Sequence, residues 1–157
     1  LNANFTLAIR VTQINRYDPI FSTEVYTWII NEDASLGTAA GRVTAADKDP
    51  GLFGSLRYSI ESNQNFQINP LTGVVNLTSV LEYSIAKSYS LVVMATDNAG
   101  INSRNGFALV VINVHDMNNH APVFPNTSVE MTVSENFQVG TVFQIVFAED
   151  LDSGDNG

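Results

Sequence analysis

The chain has 157 residues, 45% of them hydrophobic and 15% charged, with a formal net charge of −9. This composition is typical of a folded protein and excludes a largely disordered one. The acidic excess argues against a nucleic-acid partner, because binding to phosphates requires clustered Lys and Arg. The absence of cysteine excludes disulfides, zinc thiolate sites and thiol catalysis.

Apolar and polar residues alternate along most of the chain, which is the pattern of half-buried β-strands. In chain order, the alternation predicts strands at 5–11, 26–30, 56–60, 89–95, 108–114 and 129–133. Turn formers separate these runs, as in the stretch 69–73. About seven short strands in about 100 residues, with no long helical segment, predict an all-β sandwich.

Because successive side chains of a strand point to opposite faces of the sheet, the alternation also predicts which large apolar residues point inwards and which point outwards. Trp28, the only tryptophan, lies on the inward parity of its strand and is predicted to pack in the core. Phe107 and Leu109 lie on the outward parity of the last long strand, where they are a candidate contact patch.

The chain repeats itself. Shifted by 103 residues it matches itself without a gap, with fifteen identities over the 54 residues that can be compared. The matches include Asp47 with Asp150 and Asp49 with Asp152. Repetition at a fixed period predicts an array of similar units. The predicted units are the last strand of a preceding repeat at 1–15, a complete repeat at 16–118 and the N-terminal part of another at 119–157.

Several stretches, in this order and spacing, closely resemble the cadherin repeat. They are INEDASLG (30–37) with AADKDPG (45–51), FQINPLTGVV (66–75), LEYSIAKSYSLVVMATDNAG (81–100), DMNNHAPVF (116–124), and VSENFQVG (133–140) with AEDLDSGDNG (148–157). The resemblance implies immunoglobulin-like, seven-strand Greek-key sandwiches joined end to end, with up to three Ca²⁺ at each junction. Calcium takes about 6–8 oxygen ligands, so clustered carboxylates and amides suit it.

The resemblance implies a calcium site between the complete repeat and the unit that follows it. The matching positions are Glu32, Glu82, Asp116, Met117, Asn118, Asn119, His120, Asp150, Asp152 and Asn156. Met117 and His120 offer only backbone carbonyls there, and a further carbonyl is expected near Asn156.

Two positions of this junction depart from the family's pattern. Ser84 stands where the family has a bridging Glu, and Asn119 stands where it has a shared Asp. Five acids remain, with a total charge of −5 against +6 for three Ca²⁺: Glu32, Glu82, Asp116, Asp150 and Asp152. We therefore expect fewer than three tightly bound ions there, or weaker binding than is usual.

The junction before the complete repeat departs further. Gln13 replaces the first linker acid, and Arg16 replaces the Asp that two ions would share. Because a guanidinium is always charged, those two ions are expected to be absent. The third site is expected to survive, because its four side chains are present: Asn15, Asp47, Asp49 and Asp97. Asp18 falls at the family's Ala or Pro position and is left out of the ligand set.

The aspartates also suit plain turn and capping roles, and only the repeat favours calcium ligation. Glycosylation sequons begin at Asn4, Asn76 and Asn126 and favour a secreted or surface protein. The only histidines, His115 and His120, do not converge on one metal, and no nucleophile turn or phosphate-binding loop occurs, so the chain is predicted not to be an enzyme.

The predicted function is that of a calcium-stiffened segment in the ectodomain of a cell-surface adhesion receptor. The receptor would be anchored by a membrane segment outside this chain, and its partners would be other cadherin ectodomains, homophilic or heterophilic. The atypical linkers resemble those of long members such as protocadherins, Fat-like and tip-link-like proteins. The alternative is a cadherin-like spacer or carbohydrate-binding sandwich module of a secreted or microbial protein.

Overall fold

The computed structural model describes residues 6–61, 63–97, 102–142 and 144–157. Within these ranges the regular structure is almost entirely β. The strands are β1 (Ile20–Phe21), β2 (Val25–Asn31), β3 (Ala39–Arg42), β4 (Ala45–Ala46), β5 (Arg57–Ile60), β6 (Phe66–Ile68), β7 (Val74–Leu77), β8 (Ser88–Thr96) and β9 (Asn105–His115). Short 3-10 turns occupy Gly51–Gly54 and Gly154–Asn156.

The strands form two main sheets. The larger has the order β2-β9-β8-β5 and the smaller the order β3-β7-β6, while β1 and β4 pair as a short antiparallel piece. β2 and β9 run parallel, whereas β8 and β9 are antiparallel. Seven strands have three or more residues, which confirms the predicted seven-strand β-sandwich.

The core lies between the inner faces of the two sheets. Along β9, Ala108, Val110, Ile112 and Val114 are buried and their neighbours face outwards. The period-two pattern therefore marks the buried face, as predicted. Each fully buried side chain of this size contributes about 1.5–3 kcal/mol to the free energy of folding. Phe107, on the outward parity, is 62% exposed.

Trp28 extends the core at the edge of the larger sheet. It is half-buried, packs against the core and lies 5.9 Å from the Tyr26 ring between centroids. Its indole lies directly over Gly41 on β3, so that a Cβ at this glycine would overlap the ring. Gly41 is thus required by close approach between the two sheets and not by a special backbone angle.

Two of the predicted strands are wrong. Residues 6–11 and 129–133 have no strand structure, and their apolar side chains are exposed, with Ile9 at 79% and Met131 at 48%. A strand exists only where a neighbour satisfies its backbone hydrogen bonds, and neither segment has such a neighbour in the described part of the chain. Position 5 lies outside the described residues.

Local geometry repeats after 103 residues. The antiparallel bridge between Val123 and Glu149 has the register of the β1–β4 pair Ile20–Ala46. Gly37 and Gly140 also share a positive φ, at 87° and 86°. The second unit thus begins in the same way as the first, although the predicted domain boundaries at 15/16 and 118/119 stay predictions.

We predict that Gly41→Ala destabilises the sandwich by about 1–3 kcal/mol, because the new methyl group displaces the Trp28 ring. Urea unfolding followed by the fluorescence of this single tryptophan measures the change directly. Ser90→Ala, on the exposed face of β8, is the control and should alter the free energy of unfolding by less than about 0.5 kcal/mol. Equal stability of the two variants would contradict the packing assignment.

Candidate metal centre

Strand pairing places the first two acids of the C-terminal junction side by side. The parallel register of β2 with β9 ends at the pair Asn31–His115. Glu32 and Asp116 are the next residues on each strand, so both leave the same edge of the sheet. The Glu32 N–H also donates to the His115 carbonyl at 3.1 Å. The larger sheet therefore presents two neighbouring carboxylates at the end that faces the following unit.

The third acid of the group comes from the following unit. One carboxylate oxygen from each of Glu32, Asp116 and Asp152 lies within 4.8 Å of the other two. Ligands on opposite sides of one Ca²⁺ lie about 4.6–5.2 Å apart, because each Ca–O distance is about 2.3–2.6 Å. Three carboxylates at this spacing fit one calcium ion, and the fit joins two units of the chain.

Backbone and hydroxyl donors hold these carboxylates in place. Glu32 accepts N–H bonds from Tyr83 at 2.8 Å and from Met117 at 2.9 Å, and only 6% of its surface is exposed. Asp116 Oδ2 accepts from both the amide and the hydroxyl of Ser153, each at 2.8 Å. The Ser153 hydrogen bonds lower the pKa of Asp116, so this carboxylate stays ionised to lower pH than a free Asp.

Asp152 and His120 form a close pair. Asp152 Oδ2 accepts a hydrogen bond from the backbone N–H of His120 at 3.0 Å, and Asp152 Oδ1 lies 2.7 Å from the ring Nδ1 of His120. Burial acts to raise the pKa of Asp152, but the hydrogen bonds from His120 outweigh it and the pKa is lowered. The hydrogen bond to Asp152 raises the pKa of His120. His120 thus contacts the group through its side chain and its backbone N–H, whereas the predicted role of its carbonyl as a ligand stays a prediction.

The other predicted ligands lie around this group. Glu82, Ser84 and Asn119 line a cleft of about 470 Å³ together with the three acids. Asp150 accepts the Asp152 N–H at 2.9 Å, and Asn156 helps to lower the pKa of Asp116. The three-carboxylate group itself does not include Glu82 or Asp150. Asn118 is exposed.

The predicted ligands of the N-terminal junction lie in two hydrogen-bonded pairs, Asn15 with Asp97 and Asp47 with Asp49, and the three described acids form no group within 4.8 Å like that of the C-terminal junction. Asp47 and Asp49 follow β4, Asp97 follows β8, and Asn15 belongs to the linker before β1. Asp97 is fully buried and accepts from Asn15 Nδ2 at 2.8 Å. Asp47 Oδ1 accepts the Asp49 N–H at 2.7 Å, as in an Asx turn. The same bond recurs between Asp150 and Asp152, at the equivalent positions of the next unit.

Two oxygens at this junction have no partner. Asn15 Oδ1 and Asp47 Oδ2 are buried, and neither forms a hydrogen bond with any residue in the described ranges. Leaving a buried acceptor unsatisfied costs about 1–3 kcal/mol. A cation is a natural partner for an amide oxygen and a carboxylate oxygen that lack one, so these two atoms are the part of the predicted set that suits Ca²⁺.

Sequence reasoning missed one interaction here. Asp18, left out of the predicted ligand set, forms an ion pair with Arg104 at 2.5 Å between Oδ1 and Nε. Arg104 lies just before β9, far from the linker in sequence. The available signal was an unexpected acid in the linker, but only the folded chain shows which basic residue faces it.

The sequons differ in their surroundings. Asn76 is half-buried on β7 of the smaller sheet, while Asn126 is exposed in the following unit. Asn4 lies outside the described residues. Attachment of sugar at these three positions stays a prediction.

Comparisons with known proteins place the chain in a family. The family model described as the cadherin domain matches residues 26–115. Human protocadherin Fat 4 is 34% identical over 159 residues, covering 99% of this chain and 3% of that protein. Rat cadherin-23 is 35% identical over 159 residues, covering 99% of this chain and 5% of that protein. The crystal structure of mouse cadherin-23 EC22-24 matches with a TM-score of 0.86 and 36% identity, over 92% of this chain and 47% of that chain.

The chain spans 3–17% of the length of the curated relatives that it matches. Among the described residues, no helix has the length and apolar character needed to cross a bilayer. The family is a non-enzymatic one, which confirms the prediction that the chain is not an enzyme. With its β-sandwich, its repeated acidic junction residues and its whole-chain similarity to protocadherins and cadherin-23, the chain belongs to the cadherin family.

Proposed function

We propose that the chain is a calcium-binding spacer within the ectodomain of a cell-surface adhesion receptor. The observation that carries the proposal is the group of three carboxylates, Glu32, Asp116 and Asp152, contributed by two units and gathered within 4.8 Å. The rest of the receptor, including its membrane anchor, lies outside this chain, and its partners are other cadherin ectodomains.

The mechanism follows from electrostatics at the C-terminal junction. Without a cation, the three carboxylates repel one another, and this repulsion favours separation of the two units. A Ca²⁺ bound among them converts the repulsion into attraction and restricts the hinge between the units. Calcium thus supplies the positive charge that holds the two units in a fixed orientation, whereas without it only the linker joins them.

We infer that this junction binds fewer than three ions tightly. The exposed side chains of Glu82, Ser84 and Asn119 line the cleft beside the central group, where the family's outermost ions would lie. Ser84 and Asn119 bring no negative charge to it. The central ion, held by the gathered carboxylates, is the strongest, and the outermost ion is the weakest.

At the N-terminal junction we propose a single Ca²⁺. Its ligands are Asn15 Oδ1, Asp47 Oδ2, Asp49 and Asp97, and the two unpaired oxygens support this assignment. The exposed guanidinium of Arg16 disfavours the two neighbouring ions that a shared Asp would otherwise bridge. The two ends of the complete repeat thus differ in the calcium ions that they are proposed to bind.

Replacing a central carboxylate tests the C-terminal site. We expect Glu32→Gln to weaken calcium binding at this junction about tenfold or more, equal to ~1.4 kcal/mol, because the charge of the ligand set falls by one. Isothermal titration of the chain with Ca²⁺ measures the affinity, and thermal unfolding in EGTA separates loss of binding from loss of folding. Glu24→Gln, at an exposed position before β2, is the charge-matched control. Unchanged affinity in Glu32→Gln, or three equivalent strong sites in the parent chain, would contradict the assignment.

A second substitution tests the N-terminal site. Asp47→Asn should remove one calcium equivalent from the titration, because it neutralises an unpaired buried oxygen that only a cation satisfies. The C-terminal equivalents should remain. Glu61→Gln, an exposed acid at the end of β5, should leave the stoichiometry unchanged. Full stoichiometry in Asp47→Asn, or anomalous density for three ions beside Arg16, would rule out a single-ion junction.

Adhesion itself requires the ectodomain that contains this chain. Beads coated with that ectodomain should aggregate in millimolar calcium and disperse in EGTA, and Glu32→Gln should raise the calcium concentration that is needed. The quantity to measure is the calcium concentration at which the beads begin to aggregate. The same concentration for the parent and the variant would show that this junction does not limit adhesion.

A further inference from the structure

The linker that enters the complete repeat is held by four consecutive residues, each bonded to another group of the chain. Asn15 Nδ2 donates to Asp97 Oδ2 at 2.8 Å and to the Asn102 carbonyl at 3.0 Å. The N–H groups of Arg16 and Tyr17 donate to Asp49 Oδ2 at 2.7 and 2.8 Å. The fourth residue is Asp18, described next. All of these contacts join the linker to loops at the base of the repeat.

Asp18 and Arg104 form the charged part of this attachment. The 2.5 Å ion pair connects the linker to the segment just before β9, and the side chains of Asp18 and Arg104 are partly exposed, at 58% and 42%. Arg104 also donates its backbone N–H to Asp97 Oδ1 at 2.8 Å, so one residue contacts both the linker acid and a predicted calcium ligand. Its hydrogen bond to Asp18, together with the charges of Asp18, Asp97 and Asp49, raises the pKa of Arg104.

The next junction has no equivalent of this pair. Shifted by 103 residues, Asp18 falls on Ala121, which has no charged side chain. The C-terminal group contains three carboxylates with His120 as its basic neighbour, whereas at the N-terminal junction Asp18 is paired with the permanent charge of Arg104. The residues of the N-terminal junction therefore do not fit a full set of three Ca²⁺. The arginines of this part of the chain already supply positive charge that bound ions would otherwise provide.

We propose that Arg104 serves as an internal cation that fixes the N-terminal linker through Asp18. The orientation of the linker is then set by a guanidinium and does not require calcium. This role does not rest on the proposed calcium sites, because the ion pair and the backbone hydrogen bonds join protein groups directly.

Distance measurements between two spin labels test the proposal. The chain has no cysteine, so Thr12→Cys in the linker and Ser90→Cys on the exposed face of β8 give two unique attachment points. Pulsed electron paramagnetic resonance in EGTA should give a narrow Thr12–Ser90 distance distribution for the otherwise unchanged chain. Arg104→Gln and Asp18→Asn should each broaden it. The ratio of molecules with the linker attached to molecules with the linker detached should fall by up to about fivefold, which is the effect of losing an exposed ion pair.

Charge reversal supplies the decisive control. The double variant Asp18→Arg with Arg104→Asp restores the pair with opposite polarity and should recover the narrow distribution. Arg57→Gln, an exposed arginine on β5, should have no effect. Trp28 fluorescence confirms folding of every variant. A broad distribution in EGTA for the unchanged chain, equal narrowness in the single variants, or a double variant as broad as the singles would each overturn the proposal.

Discussion

The parallel pairing of β2 with β9 is the constraint on which the C-terminal junction depends. It joins the first long strand of the repeat to the last one, so residues far apart in sequence leave the sheet together. Glu32 and Asp116 need no loop of special shape to meet, because the register of the ladder already makes them neighbours. The chain continues from Asp116 into the next unit, where the segment after Glu149 brings Asp152 against them and completes the group.

The two ends of the repeat solve the same electrostatic problem by different means. Clustered carboxylates favour a rigid junction only when positive charge lies among them. At the C-terminal end the acids outnumber nearby basic groups, and the cleft is open to an ion from solution. At the N-terminal end, Arg104 supplies positive charge from within the chain, and Asp49 and Asp97 are satisfied largely by N–H donors. On the proposed assignments, the rigidity of the two junctions would depend on calcium to different degrees.

Much of the fold could be predicted from the sequence, because alternation of apolar residues marks a buried sheet face directly. The strands around Trp28, Leu91 and Val110 were predicted for this reason. The same alternation failed at 6–11 and 129–133, because the pattern records which face is buried and does not show whether a partner strand is present.

The site divides in a similar way. Asp47 and Asp49 recur as Asp150 and Asp152, so the sequence itself singles out these acids, but their hydrogen-bond partners depend on loop geometry. Nothing in the local sequence shows that Ser153 donates twice to Asp116, or that His120 turns its ring towards Asp152. The Asp18–Arg104 pair was the hardest interaction to predict. The two residues are 86 positions apart, and the family's pattern has no charged residue at the position of Asp18.

The direction of β9 relative to β2 also has a mechanical consequence. The chain enters the repeat just before β2 and leaves it at the end of β9, so tension along the array pulls these adjacent parallel strands in opposite directions. Seven registered residue pairs, from Val25–Leu109 to Asn31–His115, are then loaded in shear at the same time and not opened one after another. Resistance of the repeat to a pulling force is therefore built into its strand order and is present before any ion binds at its ends.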